Sequence, residues 1–413
     1  MLHFGLIGRK LSHSFSPAIH EMISQSVATS LQYDYQLFPM EPETVGNFVQ
    51  TTTLDGFNVT IPYKTDVIPF CSTLSPRAKA IGSVNTMKRL PDGTFLGDNT
   101  DYFGFEYMLG EAKASLRGKK ALILGSGGAS KTVCAVLQDS EIPYVVISRS
   151  GENNYNNLNR HSDAALIVNT TPVGMYPNNG ESPIDLSLFP SCQLVLDLIY
   201  NPSRTALLLQ ADELGIPAKN GLSMLVAQGV RAGEIFLDTA LKEELIEDIT
   251  ASIAAKTRNI LLIGMPGCGK TTVATYLSEM TGRRMIDTDE LIVQHAGMPI
   301  PEIFSQYGEK HFRELETSAL AEASKESGVI IATGGGIVTQ PRNLPLIRQN
   351  SRCIFLERPL EQLDISGRPI SQAVGVEKLL QERLPLYQAW SEFYFFNEDS
   401  HSTAKKICQM LGL

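Results

Sequence analysis

The 413-residue sequence has few of the features that mark a secreted, zinc-binding or membrane protein. Its six cysteines are scattered and no two form a C-x-x-C pair, which argues against a disulfide framework or a zinc site and favours a reducing cytoplasm. No apolar run approaches the roughly 20 residues of a membrane span. The stretch from Leu2 to Ile7 predicts a short strand and is followed at once by polar residues, so we expect no signal peptide.

Positive charge is also scarce. The formal net charge is −9, which argues against binding to nucleic acid or to an anionic membrane, although anionic small molecules need only local arginine and lysine. Hydrophobic residues make up 43% and charged residues 19%, as in ordinary globular proteins. The length predicts two or three domains. The sequence does not indicate an oligomeric state.

The most specific motif is a phosphate loop of the form G-x-x-x-x-G-K-[ST], placed between a predicted strand and a predicted helix. Its residues are Gly264, Gly267, Gly269, Lys270 and Thr271, with Thr272 beside them. Glycines let backbone N–H groups surround phosphate oxygens, and the helix N-terminus adds positive potential. We expect Lys270 to bridge the terminal phosphates and Thr271 to hold Mg²⁺. Because such a loop follows the first strand of its domain, a new domain is expected from about residue 258.

A second glycine-rich turn is less specific by itself, but it lies between a predicted strand over 119–124 and a helix ending near residue 138. This position indicates a dinucleotide-binding turn. Its residues are Gly125, Gly127, Gly128 and Ala129. The next strand ends in Ser148-Arg149-Ser150, where an acidic residue would hold a ribose 2′-hydroxyl. An arginine flanked by hydroxyls favours a 2′-phosphate, and hence NADP; the alternative is that Arg149 is a solvated charge at a strand end.

Strand and helix patterns alternate along the chain, which predicts an α/β protein. We divide it into an α/β unit over 1–100 that is completed by 221–240, a Rossmann-like domain over 101–220, a helical connector over 241–257, and a P-loop kinase domain with a central parallel sheet over 258–413. Ser16 is expected to cap a helix that has Pro17 in its first turn. Asp287 and Asp289 are expected to end a strand with both carboxylates on the same side.

Further motifs carry a family resemblance. In the first half they are Ser14-Phe-Ser16-Pro17, Asn58-Val-Thr60-Ile-Pro62-Tyr-Lys64, Gly82-Ser-Val-Asn85-Thr, Gly97-Asp-Asn-Thr-Asp101, Asn169-Thr-Thr-Pro172-Val-Gly174-Met, Tyr200-Asn-Pro202 and Gly221-Leu-Ser-Met-Leu-Val-Ala-Gln228. In the second half they are the phosphate loop, Asp287-Thr-Asp289, Phe312-Arg313-Glu-Leu-Glu316, Gly334-Gly-Gly336, Arg368-Pro369 and Arg383-Leu-Pro-Leu-Tyr387. On these motifs, residues 1 to about 240 resemble shikimate dehydrogenase and residues 258–413 resemble shikimate kinase.

The first resemblance implies reversible, NADPH-dependent reduction of 3-dehydroshikimate to shikimate. Lys64 and Asp101 match the family's catalytic pair, in which the ammonium protonates the developing alkoxide and the carboxylate positions it. Ser14 and Ser16 match hydroxyls that bind the substrate carboxylate. Contacts to the substrate hydroxyls are matched by Thr60, Asn85, Tyr200 and Gln228, and the cofactor site by Ser148, Arg149, Thr170 and Met175.

The second resemblance implies ATP- and Mg²⁺-dependent phosphorylation of the shikimate 3-hydroxyl. Asp289 matches the residue that binds and deprotonates this hydroxyl, and Asp287 matches an outer-shell partner of Mg²⁺. Arg313 and Arg383 match a pair that clamps the substrate carboxylate, with Glu316 orienting Arg313. The backbone N–H groups of the glycine turn are also expected to face the substrate, and they belong to Gly335 and Gly336.

Two stretches are shorter than the family pattern. Only about twenty residues separate Ser150 from Thr170, where the family has room for another helix and strand. The kinase lid is also short, with no arginine at the expected place upstream of Arg368-Pro369. We therefore expect Arg368 to be the principal cation of the lid.

Two alternative functions are considered. One is a quinate-type dehydrogenase joined to a related kinase; Ser16 in place of threonine favours shikimate by resemblance. The other is a ligand-sensing regulator built from degenerate enzyme domains. The presence of Lys64, Asp101, Lys270 and Asp289 argues against the regulator, because each would carry chemistry that a sensor does not need. The expected partners are therefore small molecules.

Overall fold

The computed structural model describes residues 1–11, 14–363 and 375–413. These residues form two compact units. The first consists of Met1–Pro172, Pro183–Tyr200 and Gln210–Ser252, and the second of Val173–Ser182, Asn201–Leu209 and Ile253–Leu413. The four-part division given above stays a prediction. Among the helices in the described part of the chain, none combines the length and the hydropathy that crossing a bilayer requires.

The first unit begins with a six-stranded sheet. Its strands are β1 (Leu2–Gly8), β2 (Tyr33–Pro39), β3 (Gly56–Val59), β4 (Thr73–Leu74), β5 (Thr86–Arg89) and β6 (Phe95–Asp98), and its helices are α1 (Ser16–Ser26), α2 (Pro42–Thr51) and α3 (Pro76–Ile81). The strand order is β2-β1-β3-β5-β6-β4. β1 runs parallel to β2 and β3, whereas β5 is antiparallel to both of its neighbours. β5 and β6 form an antiparallel hairpin around the turn Pro91-Asp-Gly93.

A second sheet of the first unit contains only parallel strands. Its strands are β7 (Ala121–Leu124), β8 (Tyr144–Ile147), β9 (Leu166–Asn169), β10 (Leu194–Asp197) and β11 (Ala218–Lys219). The helices of this part of the chain are α4 (Asp101–Leu109), α5 (Ala112–Leu116), α6 (Gly128–Asp139), α7 (Ala206–Glu213), α8 (Leu222–Leu237) and α9 (Glu244–Thr257). β7 and β9 are buried throughout, as expected for parallel strands covered on both faces.

The connection from β8 to β9 is short. In residues 148–165, all of which are described, the chain forms a bridge between Ser148 and Asn154 and a 3-10 helix at Leu158–His161. The chain then returns past β7 to form β9, so the strand order is β11-β10-β9-β7-β8. A single helical turn therefore replaces the α-helix that usually joins parallel strands in this kind of fold.

Helix α8 completes the first sheet and also reaches the second. It packs against α1 and β5 of the first sheet and against α4, which precedes the second. Gly104 lies so close to this helix that a Cβ atom there would be 2.6 Å from the Met224 carbonyl oxygen. The side chains of α8 are consequently held between elements of both sheets of the unit.

The second unit is built on a parallel sheet of five strands. The strands are β12 (Asn259–Ile263), β13 (Met285–Asp287), β14 (Ile330–Ala332), β15 (Ser351–Glu357) and β16 (Phe393–Phe396), in the order β13-β14-β12-β15-β16. The helices are α10 (Lys270–Thr281), α11 (Thr288–Ala296), α12 (Ile300–Ala323), α13 (Asn343–Arg348), α14 (Val376–Trp390) and α15 (Ser400–Leu411). Apolar clusters cover both faces of the sheet. The predicted α/β class, with a central parallel sheet in the kinase part, is confirmed.

Two segments from the middle of the chain belong to the second unit, 173–182 and 201–209. They meet the turn before β15. The Arg204 backbone N–H and the Ser203 hydroxyl donate to the Gln349 carbonyl at 2.8 and 3.1 Å, and the Asn179 amide donates to the Gln349 side chain at 3.1 Å. The second unit is therefore discontinuous in sequence, and Gln349 is only 4% exposed.

Candidate active sites

The first unit contains a cavity of about 620 Å³. All eight residues predicted to bind or convert the substrate of the first half line it: Ser14, Ser16, Thr60, Lys64, Asn85, Asp101, Tyr200 and Gln228. They come from the start of α1, from the segments after β3 and β10, from the residue before β5, from the start of α4 and from α8. Ala129 of the dinucleotide turn also lines the cavity, so the predicted cofactor turn and the predicted substrate residues share one wall.

Lys64 and Asp101 form an ion pair in this cavity, with 2.6 Å between Lys64 Nζ and Asp101 Oδ2. Their side chains are 27% and 17% exposed, so both charges are shielded but can be reached. Asp101 is the first residue of α4, where the helix dipole stabilises a carboxylate. Its second oxygen accepts the Asn85 amide at 3.0 Å. The pair places an ammonium proton donor, held by an oriented carboxylate, at the cavity wall.

Asn85 ties together several elements around the pair. Its Oδ1 accepts the Thr100 backbone N–H at 2.7 Å, and its Nδ2 donates to the Thr100 hydroxyl at 3.1 Å. That hydroxyl lies 3.4 Å from the Gln228 side-chain oxygen. The loop before α4 and helix α8 are thereby connected through buried polar groups, since Asn85 is only 3% exposed.

The capping role predicted for Ser16 is wrong. Ser16 is already the first residue of α1, the N-cap is Phe15, and no side chain caps this helix end. Ser14 contributes instead, because its hydroxyl accepts the Ser16 backbone N–H at 3.2 Å. The helix therefore starts one residue earlier than predicted, with Pro17 as its second residue.

Asn58 was missed by the sequence analysis as a site residue. It lies on β3, lines the cavity and is only 6% exposed. Its amide donates to the Thr86 hydroxyl at 3.1 Å and lies 3.3 Å from the Asn85 carbonyl. A buried asparagine inside an apolar strand is the signal that could have found it, since buried amides need partners.

The dinucleotide turn has the geometry that a pyrophosphate needs. Gly125 has a φ of 101°, and a Cβ atom there would lie 2.9 Å from the Thr170 hydroxyl. Gly127 and Gly128 have nothing within 4 Å of their Cβ positions, so a ligand can approach the N-terminus of α6 closely. These residues fit NADP. Thr170 itself donates to the Leu124 carbonyl at 2.7 Å, which holds it beside the turn.

The remaining predicted cofactor residues differ in their surroundings. Ser148 and Arg149 follow β8, and Arg149 is exposed, as an arginine that binds a 2′-phosphate would be. Tyr155 lies near enough for Arg149 to influence its pKa, although burial is the larger effect and raises that pKa. Met175 is exposed and belongs to the second compact unit.

The phosphate loop follows β12 and leads into α10, as predicted. Gly267 and Gly269 have φ values of 80° and 92°, which side chains other than glycine rarely adopt. The Lys270 ammonium is 6% exposed and donates to the carbonyls of Gly264 and Met265 at 3.0 and 2.9 Å, so it spans the mouth of the loop. This loop fits the phosphates of a nucleotide.

Asn397 is a second residue that the sequence analysis missed. It follows β16, is fully buried, and donates its amide to the Cys268 carbonyl of the phosphate loop at 2.7 Å. A Cβ atom on Gly269 would lie 2.5 Å from this amide. Asn397 therefore holds the outer side of the phosphate loop. It is separated from Cys268 by 129 positions in the sequence, so local sequence patterns could not indicate this contact.

The structure brings together Thr271 and Asp287, the residues of the predicted metal site. The Thr271 hydroxyl donates to Asp287 Oδ2 at 2.9 Å, and Thr272 is exposed next to it. Among the described residues, no group of three or more histidine, cysteine, aspartate or glutamate side chains is placed to hold a metal ion. This fits Mg²⁺, which is often held by one or two protein oxygens together with nucleotide phosphates.

The predicted placement of Asp289 is wrong in one respect. β13 ends at Asp287, whose carboxylate caps α11 by accepting the Asp289 backbone N–H at 2.9 Å. Asp289 is consequently in the first turn of a helix and not on the strand. The strand ends and the helix begins at this point because aspartate is a favoured N-cap residue.

Two arginines and a glutamate form a buried charged cluster beside Asp289. Arg313 Nη1 donates to Glu316 Oε2 at 2.8 Å, and the two side chains are 7% and 1% exposed. Burial raises the pKa of Glu316, while Arg313 and, more weakly, Arg383 act against that shift. Arg383 donates to the Gly335 carbonyl at 3.1 Å. Arg313 Nη2 also pairs with Glu309 Oε1 at 3.0 Å, so three carboxylates, those of Asp289, Glu309 and Glu316, lie near the two guanidinium groups. Planar guanidinium groups are well suited to binding a substrate carboxylate.

The three glycines after β14 each touch a different part of this site. A Cβ atom on Gly334 would lie 2.8 Å from both Asp289 Oδ1 and Glu316 Oε1. On Gly335 it would lie 2.5 Å from Pro266 of the phosphate loop, and on Gly336 it would lie 2.0 Å from Arg313 Nη1. The glycine turn thus brings the predicted acid–base residue, the phosphate loop and the arginine cluster together. Arg368, predicted as the lid cation, lies outside the described residues.

These two sites define the class of the protein: an oxidoreductase with a dinucleotide-binding turn, joined to a phosphotransferase with a phosphate loop. Two family models match the chain. The model described as shikimate dehydrogenase substrate binding domain matches residues 6–87, and the model described as shikimate kinase matches residues 266–412.

Curated relatives support the same assignment. The shikimate dehydrogenase (NADP(+)) of Clostridium perfringens (strain 13 / Type A) is 36% identical over 267 residues, which cover 60% of this chain and 97% of that relative. The enzyme of the same name from Methanosphaera stadtmanae is 35% identical over 258 residues, covering 56% and 90%. The chain belongs to the shikimate dehydrogenase family, and its residues 266–412 form a shikimate kinase domain.

Solved structures agree with the fold. A chorismate mutase/shikimate 5-dehydrogenase fusion protein from Clostridium acetobutylicum has a TM-score of 0.56 at 35% identity, covering 61% of this chain and 97% of that chain. A shikimate 5-dehydrogenase from Thermus thermophilus in complex with NADP(H) and shikimate has a TM-score of 0.55 at 29% identity, covering 61% and 99%. The resemblance stated from the motifs is confirmed for both halves.

Proposed function

We propose that this chain is a bifunctional enzyme of two consecutive reactions. The first unit reduces 3-dehydroshikimate to shikimate with NADPH, and the kinase domain phosphorylates the shikimate 3-hydroxyl with ATP and Mg²⁺. The observation that carries the first activity is the Lys64–Asp101 pair in a cavity lined by hydroxyl and amide groups. The second activity is supported by the arginine cluster next to the phosphate loop.

In the first reaction NADPH, when bound at the glycine turn, supplies a hydride to the substrate carbonyl carbon. The carbonyl oxygen then needs a proton. Lys64 is the donor in our proposal, because its ammonium is within the cavity and held by Asp101 at 2.6 Å. Asp101 keeps the ammonium directed. Ser14 and Ser16 bind the substrate carboxylate at the other side of the cavity.

In the second reaction Asp289 accepts the proton of the attacking hydroxyl. Arg313 and Arg383 bind the substrate carboxylate, and Glu316 holds the Arg313 guanidinium in place. Lys270 and the loop glycines would hold the phosphates of ATP, and Thr271, with Asp287 as an outer-shell partner, would hold the accompanying Mg²⁺. Positioning and charge neutralisation account for most of phosphoryl transfer, and this site supplies both.

A coupled assay tests the whole proposal. The purified chain is incubated with 3-dehydroshikimate, NADPH and ATP-Mg²⁺, and the products are identified by mass. We expect shikimate when ATP is left out and shikimate 3-phosphate when it is present. An extract of products that lacks shikimate would refute the dehydrogenase, and shikimate that is not phosphorylated would refute the kinase.

We further propose that the enzyme acts in the cytoplasm on small molecules, without nucleic-acid or membrane partners. The net charge of −9 supports the absence of polyanion binding. All six cysteines are free in the structure, which fits a reducing compartment.

Arg149→Asp is expected to shift cofactor preference from NADPH toward NADH. The exposed guanidinium is placed to bind a 2′-phosphate, and a hydrogen bond to a charged group contributes about 1.5–3 kcal/mol. The NADPH/NADH ratio of kcat/KM should therefore fall about 10- to 100-fold. Arg160→Asp, an exposed arginine on the same β8–β9 connection, is the matched control and should leave the ratio unchanged. If both variants have the same NADPH/NADH ratio of kcat/KM, residues other than Arg149 bind the 2′-phosphate.

Gly336→Ala is expected to raise the KM of the kinase for shikimate by about 10- to 100-fold, the loss of one charge-assisted contact. The added Cβ would lie 2.0 Å from Arg313 Nη1, so the guanidinium must leave its position beside Glu316. Gly335→Ala is the matched comparison, because its Cβ would meet Pro266 of the phosphate loop and should raise the KM for ATP instead. Steady-state kinetics with each substrate varied in turn distinguish the two; the same pattern in both variants would contradict the assignment.

A further inference from the structure

A tyrosine behind the cavity of the first unit contacts the site through Asn58. Tyr35 lies on β2, and its hydroxyl donates to Asn58 Oδ1 at 2.7 Å. Asn58 lines the cavity; Tyr35 is not among the lining residues, but its hydroxyl also interacts with the side chain of Ser16, which is. No catalytic or binding role is predicted for Tyr35. The proposed reaction therefore does not explain why Tyr35 contacts a residue of the cavity.

This contact is the first link of a continuous chain of hydrogen bonds that ends at the catalytic pair. The Asn58 amide donates to the Thr86 hydroxyl at 3.1 Å, and that hydroxyl donates to Asn85 Oδ1 at 3.1 Å. The Asn85 amide then donates to Asp101 Oδ1 at 3.0 Å. Every link donates in the same direction, toward the carboxylate. Aligned hydrogen bonds polarise one another, and here they all favour the negative charge at the end.

Tyr35 and the Asn85 backbone carbonyl together set the direction of the chain, because the phenol donates to Asn58 Oδ1 and the carbonyl accepts from Asn58 Nδ2 at 3.3 Å. An asparagine amide can be turned by 180° with almost no change of shape, so its partners decide which end is the acceptor. The phenol donates to Asn58 and thereby leaves the amide nitrogen facing Thr86. A turned amide would face Thr86 with its oxygen, the Thr86 hydroxyl would donate back to it, and the link to Asn85 would be lost.

Tyr35 is itself held in place as a proton donor. Its ring stacks on His20 with 3.9 Å between centroids and 6° between planes. Burial raises the pKa of Tyr35, so the phenol keeps its proton. Burial also lowers the pKa of His20 to about 3, so this ring is neutral wherever the enzyme works. His20 in turn lies 2.9 Å from the Tyr33 hydroxyl.

We infer that Tyr35 is a positioning residue of the dehydrogenase: it fixes the Asn58 amide and, through Thr86 and Asn85, orients the Asp101 carboxylate toward Lys64. This inference rests on the proposed dehydrogenase function of the cavity. Because Tyr35 acts on the catalytic pair through this chain and touches the substrate site only through Ser16, its loss should lower kcat more than it raises KM.

Tyr35→Phe tests this directly. We expect kcat for 3-dehydroshikimate reduction to fall about ten-fold, since a buried acceptor loses its donor, while KM rises by a smaller factor. Tyr33→Phe is the matched comparison. It removes a buried hydroxyl from the same face of the same strand, but that hydroxyl reaches Asn58 only through His20, so kcat should fall less than in Tyr35→Phe. The kinase kcat measured on the same preparations checks for losses common to the whole chain.

A double-mutant cycle separates positioning from packing. Thr86→Val breaks the chain at the next link while keeping the shape of a residue that is fully buried. If Tyr35 acts through this chain, Tyr35→Phe should lower kcat no further in the Thr86→Val background. Losses that multiply, a changed KM with unchanged kcat, or an equal loss in Tyr33→Phe would each overturn the inference. A wild-type chain that fails to reduce 3-dehydroshikimate would instead overturn the proposed function.

Discussion

Lys64→Ala is expected to lower kcat for the reduction of 3-dehydroshikimate by about 10²–10⁴-fold, the range of a lost acid–base group. Lys64 is the only predicted proton donor in the pair, and alanine leaves Asp101 bonded to the Asn85 amide without an ammonium to direct. The site should otherwise remain intact, because the Asn85 network does not depend on Lys64. Stopped assays of NADPH oxidation at saturating substrate measure the effect.

The same preparation provides an internal control for this experiment. Kinase turnover with added shikimate should stay within about two-fold of wild type, since that site lies in the other compact unit. Lys79→Ala, an exposed lysine on α3, is the matched surface variant and should leave both activities unchanged. If Lys64→Ala keeps wild-type reduction, the assignment of the proton donor is wrong.

Asp289→Asn is expected to produce the converse loss. The amide has nearly the shape of the carboxylate but cannot accept the proton of the attacking hydroxyl, so kinase kcat should fall by about 10²–10⁴-fold. The backbone N–H of residue 289 still bonds to the Asp287 carboxylate, so the start of α11 and the metal site should be retained. Reduction of 3-dehydroshikimate should be unchanged.

The control for the second experiment is the next residue. Glu290→Gln also removes one negative charge from the first turn of α11, but Glu290 is exposed and should alter kinase kcat by less than about two-fold. A raised KM with normal kcat in Asp289→Asn would show that the carboxylate binds the substrate without taking its proton.

Local motifs made much of this protein predictable from sequence. The phosphate loop and the dinucleotide turn are short, and glycine is required at their left-handed positions, such as Gly125 and Gly269. Buried parallel strands show as apolar runs, so β7 and β12 were found near their observed ends. At Asp287 a helix cap competes with continuation of the strand, and the sequence pattern predicted the wrong element for Asp289.

Long-range contacts explain what the sequence could not indicate. Asn397 supports the phosphate loop although it is 129 positions away in the sequence. Tyr35 on β2 bonds to Asn58 on β3, and β1 lies between these two strands. Each becomes meaningful only when tertiary packing brings it to the site. The assignment of 173–182 and 201–209 to the second compact unit has the same origin, because no composition change marks these segments.

The discontinuity of the second unit affects where the chain could be divided into two separately folding proteins. Cutting the coding sequence within α9 would leave the kinase with only the last of its three segments. The product would lack the Arg204, Ser203 and Asn179 groups that bond Gln349, and a residue that is now 4% exposed would face solvent. We therefore expect a fragment that begins within α9 to be less stable than the same residues are in the full chain.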